Sequence, residues 1–174
     1  MKNAAALALF AFLAASFAFA QEPATEEIPA AEPVAVEDAA SSEPGDWLVD
    51  FDQAKAVAAA KNLPLFLNFT GSDWCPWCVF ADETVFSLPE WKAYAAGRIV
   101  PVFVDFPHEK PMTDEQRAAN QALAERFDVE GYPTFVVLAP DGETVLGTMG
   151  VSRGMSFFGF VSQLERVLAG LEIE

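Results

Sequence analysis

Residues 65–78 read Leu65-Phe66-Leu67-Asn68-Phe69-Thr70-Gly71-Ser72-Asp73-Trp74-Cys75-Pro76-Trp77-Cys78. The first five residues form a short apolar run, which at that length reads as a buried strand rather than a helix. Gly71 and Ser72 supply the turn that ends it, and a helix is predicted to begin at Cys75. The chain's two cysteines therefore stand three apart at a helix start. At that spacing they reach each other with little backbone movement. The unpaired N–H groups and partial positive charge of a helix N-terminus stabilise a thiolate. Cys75, at the tip, is the expected nucleophile, and Cys78, one turn inside, is placed to resolve a mixed disulfide.

Two blander uses of the pair compete. A purely structural disulfide closing a four-residue loop stabilises by only about 2 kcal/mol on the chain-entropy estimate. A zinc site needs about four ligands, yet there is no second cysteine pair and His108 is the single histidine. Met112, Met149 and Met155 lack the spacing of a copper site and read as packing. No phosphate loop and no Ser-His-Asp arrangement is present, so neither a metal nor another cofactor is expected. Two cysteines also exclude a disulfide-stapled miniature fold.

Working outward, Phe51, Ala54, Val57 and Ala58 recur at helical spacing and predict a helix over 51–61, stopped by Asn62 and Pro64. Residues 99–106 are crowded with β-branched and aromatic side chains and read as a strand. Thr113-Asp114-Glu115-Gln116 matches a capping box, with Ala119, Leu123 and Phe127 continuing one helical face. Gly131-Tyr132-Pro133 interrupts before a strand over 134–138. Pro140-Asp141-Gly142 marks a turn, and 144–149 returns as an antiparallel partner. Phe157, Val161, Leu164 and Leu168 trace a last amphipathic helix. The expected order is α-β-α-β-α-β-β-α, an α/β fold with a mixed sheet and helices on both faces.

The N-terminal region is of another kind. Lys2, the apolar stretch 7–17 and Ala18-Phe19-Ala20 read as a secretory signal peptide over 1–20, cut after Ala20; a retained anchor is the alternative. Residues 21–45 hold seven acidic and no basic residues with four prolines, and read as an extended, solvated, disordered linker. The domain is then 46–174. The whole chain of 174 residues carries a formal net charge of −16. Such acidity excludes a binder of phosphate backbones, which needs concentrated Lys and Arg, so no nucleic-acid partner is expected.

Residues 69–78 together with Gly131-Tyr132-Pro133-Thr134 resemble the thioredoxin superfamily. More narrowly, they are similar to secreted bacterial thioredoxin-like proteins related to the periplasmic C-terminal domain of the disulfide-reducing membrane electron transporter. The resemblance covers about 47–168. It implies a thioredoxin-like fold with an extra N-terminal helix. It also implies a cis Pro133 that packs beside the dithiol and lets the backbone near Tyr132 pair with an extended substrate. Read from the residues alone, Tyr132-Pro133 shows only a turn or strand entry, since most X–Pro bonds are trans.

Two departures from the family pattern matter. Cytoplasmic members carry a buried Asp on the strand before the dithiol, which assists proton transfer at the resolving cysteine. With one residue inserted in the 70–73 turn, Asn68 falls there. Asn hydrogen-bonds but does not titrate, so a water, Asp73 or Glu83 would take that role; the alternative is a satisfied polar residue at a strand end. Pro76-Trp77 between the cysteines resembles glutaredoxins and Dsb-type oxidases rather than thioredoxin. No Lys, Arg or His adjoins the cysteines, and Asp73, Asp82 and Glu83 oppose a thiolate if close, so only moderate thiol acidity is expected.

Trp74, Trp77 and Tyr132 offer an apolar rim for substrate polypeptide; ordinary packing is the alternative, for Trp74 against the first helix. Trp47 and Trp91 read as core or edge residues, and His108 as an exposed loop residue. The function expected is an exported thiol–disulfide oxidoreductase, periplasmic or secreted and monomeric, acting on protein disulfides or thiols. As a reductase it would draw electrons from a membrane partner. The alternatives are a disulfide oxidase or isomerase, or a thioredoxin-fold module that binds peptides without turnover.

Overall fold

Asp50 ends its extended segment by accepting the N–H of Gln53, and helix α1 (Phe51–Lys61) starts there. It stops at Asn62, whose left-handed backbone lets its N–H return to Ala58 and Ala59. Strand β1 (Leu65–Thr70) is buried along its whole length. The computed structural model, which describes Glu43 and residues 45–170, continues with α2 (Pro76–Ala81) running into a π turn over Asp82–Phe86. Helix α3 (Pro89–Ala95), strand β2 (Val100–Asp105) and helix α4 (Asp114–Arg126) follow. Strands β3 (Thr134–Leu138) and β4 (Val145–Met149) form the hairpin, and α5 (Phe157–Leu168) completes the described fold. The expected signal peptide, 1–20, and all of the 21–45 linker except Glu43 and Gly45 lie outside the described residues.

The four strands lie in the order β2-β1-β3-β4, with β1 parallel to β2 and antiparallel to β3, and β3 antiparallel to β4. Side-chain alternation along β1 divides the core. Leu65, Leu67 and Phe69 pack with Ala54 and Ala58 of α1 and with Leu123 of α4. Phe66 points to the opposite face, into a cluster of Val85, Phe86, Trp91, Phe135, Phe160 and Leu164. Five aromatic rings, those of Trp47, Phe86, Trp91, Phe135 and Phe160, surround Phe66 at centroid distances of 5.2–6.2 Å. Trp91 is core and Trp47 packs at its margin. This is the mixed-sheet α/β fold that the sequence predicts, with helices on both faces.

Four details differ from the sequence reading. The expected order omits α3, which begins with Pro89 at its first position and Glu90 in its first turn and buries Trp91 and Ala95 on one face. Cys75 is the N-cap of α2 rather than its first residue. On α4 the buried face is Asn120, Leu123 and Ala124, and Ala119 is exposed. The capping box is half-made: Thr113 Oγ1 accepts the N–H of Gln116, but the Gln116 amide donates to Val49 O and Asn120 Oδ1.

Candidate active site

The chain leaves β1 at Thr70 and turns so that Gly71 O accepts the N–H groups of Trp74 (3.3 Å) and Cys75 (2.9 Å). That turn delivers Cys75 to the start of α2 in an extended conformation, with Pro76 following at the first helical position. Cys75 and Cys78 are joined by a disulfide, with Cα atoms 5.2 Å apart. The N–H of Cys78 points at Cys75 Sγ (3.2 Å), and the N–H of Gly71 at Cys78 Sγ (3.4 Å). Each sulfur thus has a backbone donor aimed at it, the arrangement that favours negative charge on sulfur once the bond opens. Cys75 is 5% exposed and Cys78 3%.

The Tyr132–Pro133 peptide is cis, as the resemblance implies, and Tyr132 O lies 3.6 Å from Cys75 Sγ. The first turn of α2 and the entry to β3 therefore meet at the sulfur. Tyr132 is half-buried and stacked on Phe106 (4.9 Å), and burial pushes its phenol above the ordinary value.

Two exposed tryptophans adjoin the disulfide along the chain. Trp77, between the cysteines, is 46% exposed and meets Phe80 at 5.7 Å. Trp74 directly precedes Cys75. Its packing is not against α1: its indole N–H donates to Phe106 O (2.7 Å), its ring stacks on His108 (4.4 Å, planes 5° apart), and its edge faces Tyr132 (6.0 Å).

The three residues expected near proton transfer occupy different surroundings. Asn68 is buried on β1, between Phe103 of β2 and Phe135 of β3, on the sheet face opposite Leu67 and Phe69. Its Oδ1 has no hydrogen-bond partner among the described residues, so the satisfied strand-end alternative does not hold. Asp73 accepts the backbone N–H groups of His108, Glu109 and Lys110, and these hold its carboxyl down at about 2. A carboxylate so engaged is a clamp on a loop. Glu83 is exposed on the π turn.

A polar bracket behind the turn is not apparent in the sequence. Asp105, at the end of β2, accepts both the N–H (2.9 Å) and the hydroxyl (2.6 Å) of Ser72 and the N–H of Phe106. Lys110 Nζ donates to the same Ser72 oxygen, and buried Asn120 holds Asp105 O at 2.8 Å. The signal available was a carboxylate ending an otherwise apolar strand, directly beside a Ser-Asp turn once β1 and β2 are paired.

A family model described as thioredoxin-like matches residues 46–140. Among characterised proteins, the disulfide bond reductase DsbH of Chlamydia pneumoniae is 34% identical over 110 residues, 63% of each chain. The thioredoxin-related protein DsbJ of the same organism is 27% identical over 110 residues, 62% of this chain and 32% of its own length. The match thus spans less than two thirds of either relative. A solved structure of a DsbH oxidoreductase superposes with a TM-score of 0.66 and 28% identity, over 83% of this chain and 94% of that one.

Proposed function

Because this chain belongs to the thioredoxin-like family, we propose that it is an exported thiol–disulfide oxidoreductase that reduces protein disulfides through Cys75 and Cys78. The observation that carries this reading is the seating of the disulfide: it caps α2, receives backbone N–H groups on both sulfurs, and touches the carbonyl of Tyr132. That the DsbH relative is a disulfide bond reductase supports the reducing direction.

In the reduced enzyme, Cys75 is the thiolate that attacks one sulfur of a substrate disulfide. The Cys75–substrate bond forms, the substrate's own S–S bond breaks, and the departing thiolate takes a proton from solvent. Cys78 then loses its proton and attacks Cys75 Sγ. The intramolecular disulfide forms, and the second substrate sulfur leaves and is protonated. Two electrons pass from the dithiol to the substrate. Cys75 is the attacker because it caps the start of α2 under the Cys78 N–H, with Cys78 inside the first turn of the helix.

Trp77, Trp74, Tyr132 and Pro133 are the assigned contact surface for an extended polypeptide. Asn68, with a partnerless Oδ1, is assigned an uncharged supporting place: its amide hydrogen-bonds but has no titratable proton to exchange, so the Cys78 proton leaves to water. In an oxidising compartment reached through the 1–20 leader, the enzyme's disulfide is reopened only by an outside donor of two electrons and two protons. We assign that role to a membrane electron-transfer partner, with the enzyme acting as a monomer on proteins.

Insulin-disulfide reduction by the purified protein in the presence of a thiol reductant tests this. The wild type is expected to accelerate the reaction and Cys75→Ser to fall to the uncatalysed rate. A wild type that binds unfolded polypeptide but gives no acceleration would replace the reading with a peptide-binding module.

A further inference from the structure

Three consecutive residues of the turn before the dithiol, Ser72, Asp73 and Trp74, are each tied to the segment 105–110. Asp73 Oδ1 accepts the N–H of His108 (2.9 Å), and its Oδ2 accepts those of Glu109 (2.8 Å) and Lys110 (3.0 Å). Ser72 is held by Asp105 from one side and by Lys110 from the other. Trp74 donates its indole N–H to Phe106 O and lies flat against the His108 imidazole. Successive backbone N–H groups converging on one anion form a nest, and here the anion is the chain's own. With its carboxyl held at about 2, Asp73 stays charged throughout the neutral range, and the clamp stays closed.

What the clamp holds in place is unusual for a merely structural contact. Phe106 and Pro107 root the loop in the fold, whereas His108, Glu109 and Lys110, the three residues Asp73 holds, are all exposed and add nothing to the core. Its consequence is outward: the imidazole extends the indole of Trp74 beyond the site, and Trp74 in turn meets Tyr132 beside Cys75. A planar ring fixed flat on an indole offers its outer face for stacking.

Resting on the oxidoreductase reading above, we propose that the 106–110 loop is the second wall of the substrate cleft. His108 is a specificity residue that stacks on an aromatic side chain flanking the target cysteine, and Asp73 is the positioning residue that fixes it there.

Two synthetic disulfide peptides that differ only in Phe or Ser beside the reactive cysteine provide the test. The wild type is expected to favour the Phe peptide in kcat/KM by roughly 3- to 10-fold, the range a single aromatic pair supplies. That preference should fall towards parity in His108→Ala and in Asp73→Asn, with the loss in KM rather than kcat. It should be retained in His108→Phe, and the double variant Asp73→Asn/His108→Ala should lose no more than either single change. Equal use of both peptides by the wild type would overturn the loop assignment while leaving the oxidoreductase reading intact. So would a variant that slows both peptides alike while keeping their ratio. Failure of the wild type to reduce either peptide would instead remove the oxidoreductase reading.

Discussion

Asn68→Asp restores a titratable group at the buried position on β1, and the structure fixes the sign of its effect. The side chain is 5% exposed and its Oδ1 has no partner among the described residues. A carboxyl there is desolvated, and among the described residues no cation hydrogen-bonds to that position, so its folded pKa rises above the unfolded value of about 3.9. Below the unfolded pKa both states are protonated, and the variant matches the wild type to within the small cost of exchanging an amide for a carboxylic acid. As pH rises above that value, the native state binds more protons than the unfolded state, and stability falls until the folded pKa is passed. A rise of about 3 units, the lower part of the range for fully buried acids, corresponds to about 4 kcal/mol lost on the plateau.

Urea unfolding of wild type and variant between about pH 4 and pH 8 measures this difference directly. Asn68→Leu is the companion. It removes the partnerless oxygen at similar volume and is expected to be neutral or stabilising by about 1 kcal/mol. A stability gap for Asn68→Asp that does not change with pH would refute the assignment of a dry, cation-free site, as would a strongly destabilised Asn68→Leu.

Two further outcomes follow from the turn before the dithiol. Because the folded pKa of Asp73, about 2, lies below its ordinary 3.8, its contacts are fully present above the higher value and are lost as pH falls through the lower. The Tm difference between wild type and Asp73→Asn should therefore hold steady at neutral pH and close as pH falls from 3.8 towards 2. Gly71→Ala would bring a Cβ within 2.5–2.7 Å of the Trp74 ring. Displacing the indole from Phe106 O loses a hydrogen bond worth roughly 0.5–1.5 kcal/mol, read as a lowered Tm together with a change in tryptophan fluorescence.

The fold was legible where local pattern and tertiary role agree. The run over 65–69 is apolar because β1 is central and covered on both faces, and Thr113, Asn62 and Pro140-Asp141-Gly142 mark their boundaries by backbone chemistry that acts within a few residues. Helix α3 escaped because seven residues give barely two turns of periodicity, and the π turn joining it to α2 has no compositional mark. On α4, the spacing puts Ala119 on the core face, but it is exposed and its neighbour Asn120 is buried. The buried residue is the polar one, because its amide binds Asp105 O across 15 residues.

The site divides in the same way. The cysteine pair and Tyr132-Pro133 carry short-range signals, whereas the surroundings of Asp73 are set by N–H groups 35–37 residues away. Proximity in sequence to Cys75 suggested a proton carrier; the pairing of β1 with β2 brings the loop that makes it a clamp instead. Trp74 is likewise drawn towards that loop: the alternative of packing against α1 gives way to contacts with Phe106 and His108.

The central claim is that Cys75 attacks protein disulfides and Cys78 releases the product. Trapping with Cys78→Ser, expressed as the full chain with its leader, tests it most directly. Non-reducing electrophoresis of the exported fraction should show mixed disulfides joined through Cys75, absent when Cys75→Ser is added, while wild-type protein quenched with acid and alkylated should be largely in the dithiol form. Mixed disulfides that persist without Cys75, or a wild type held wholly as the disulfide in its own compartment, would contradict the account.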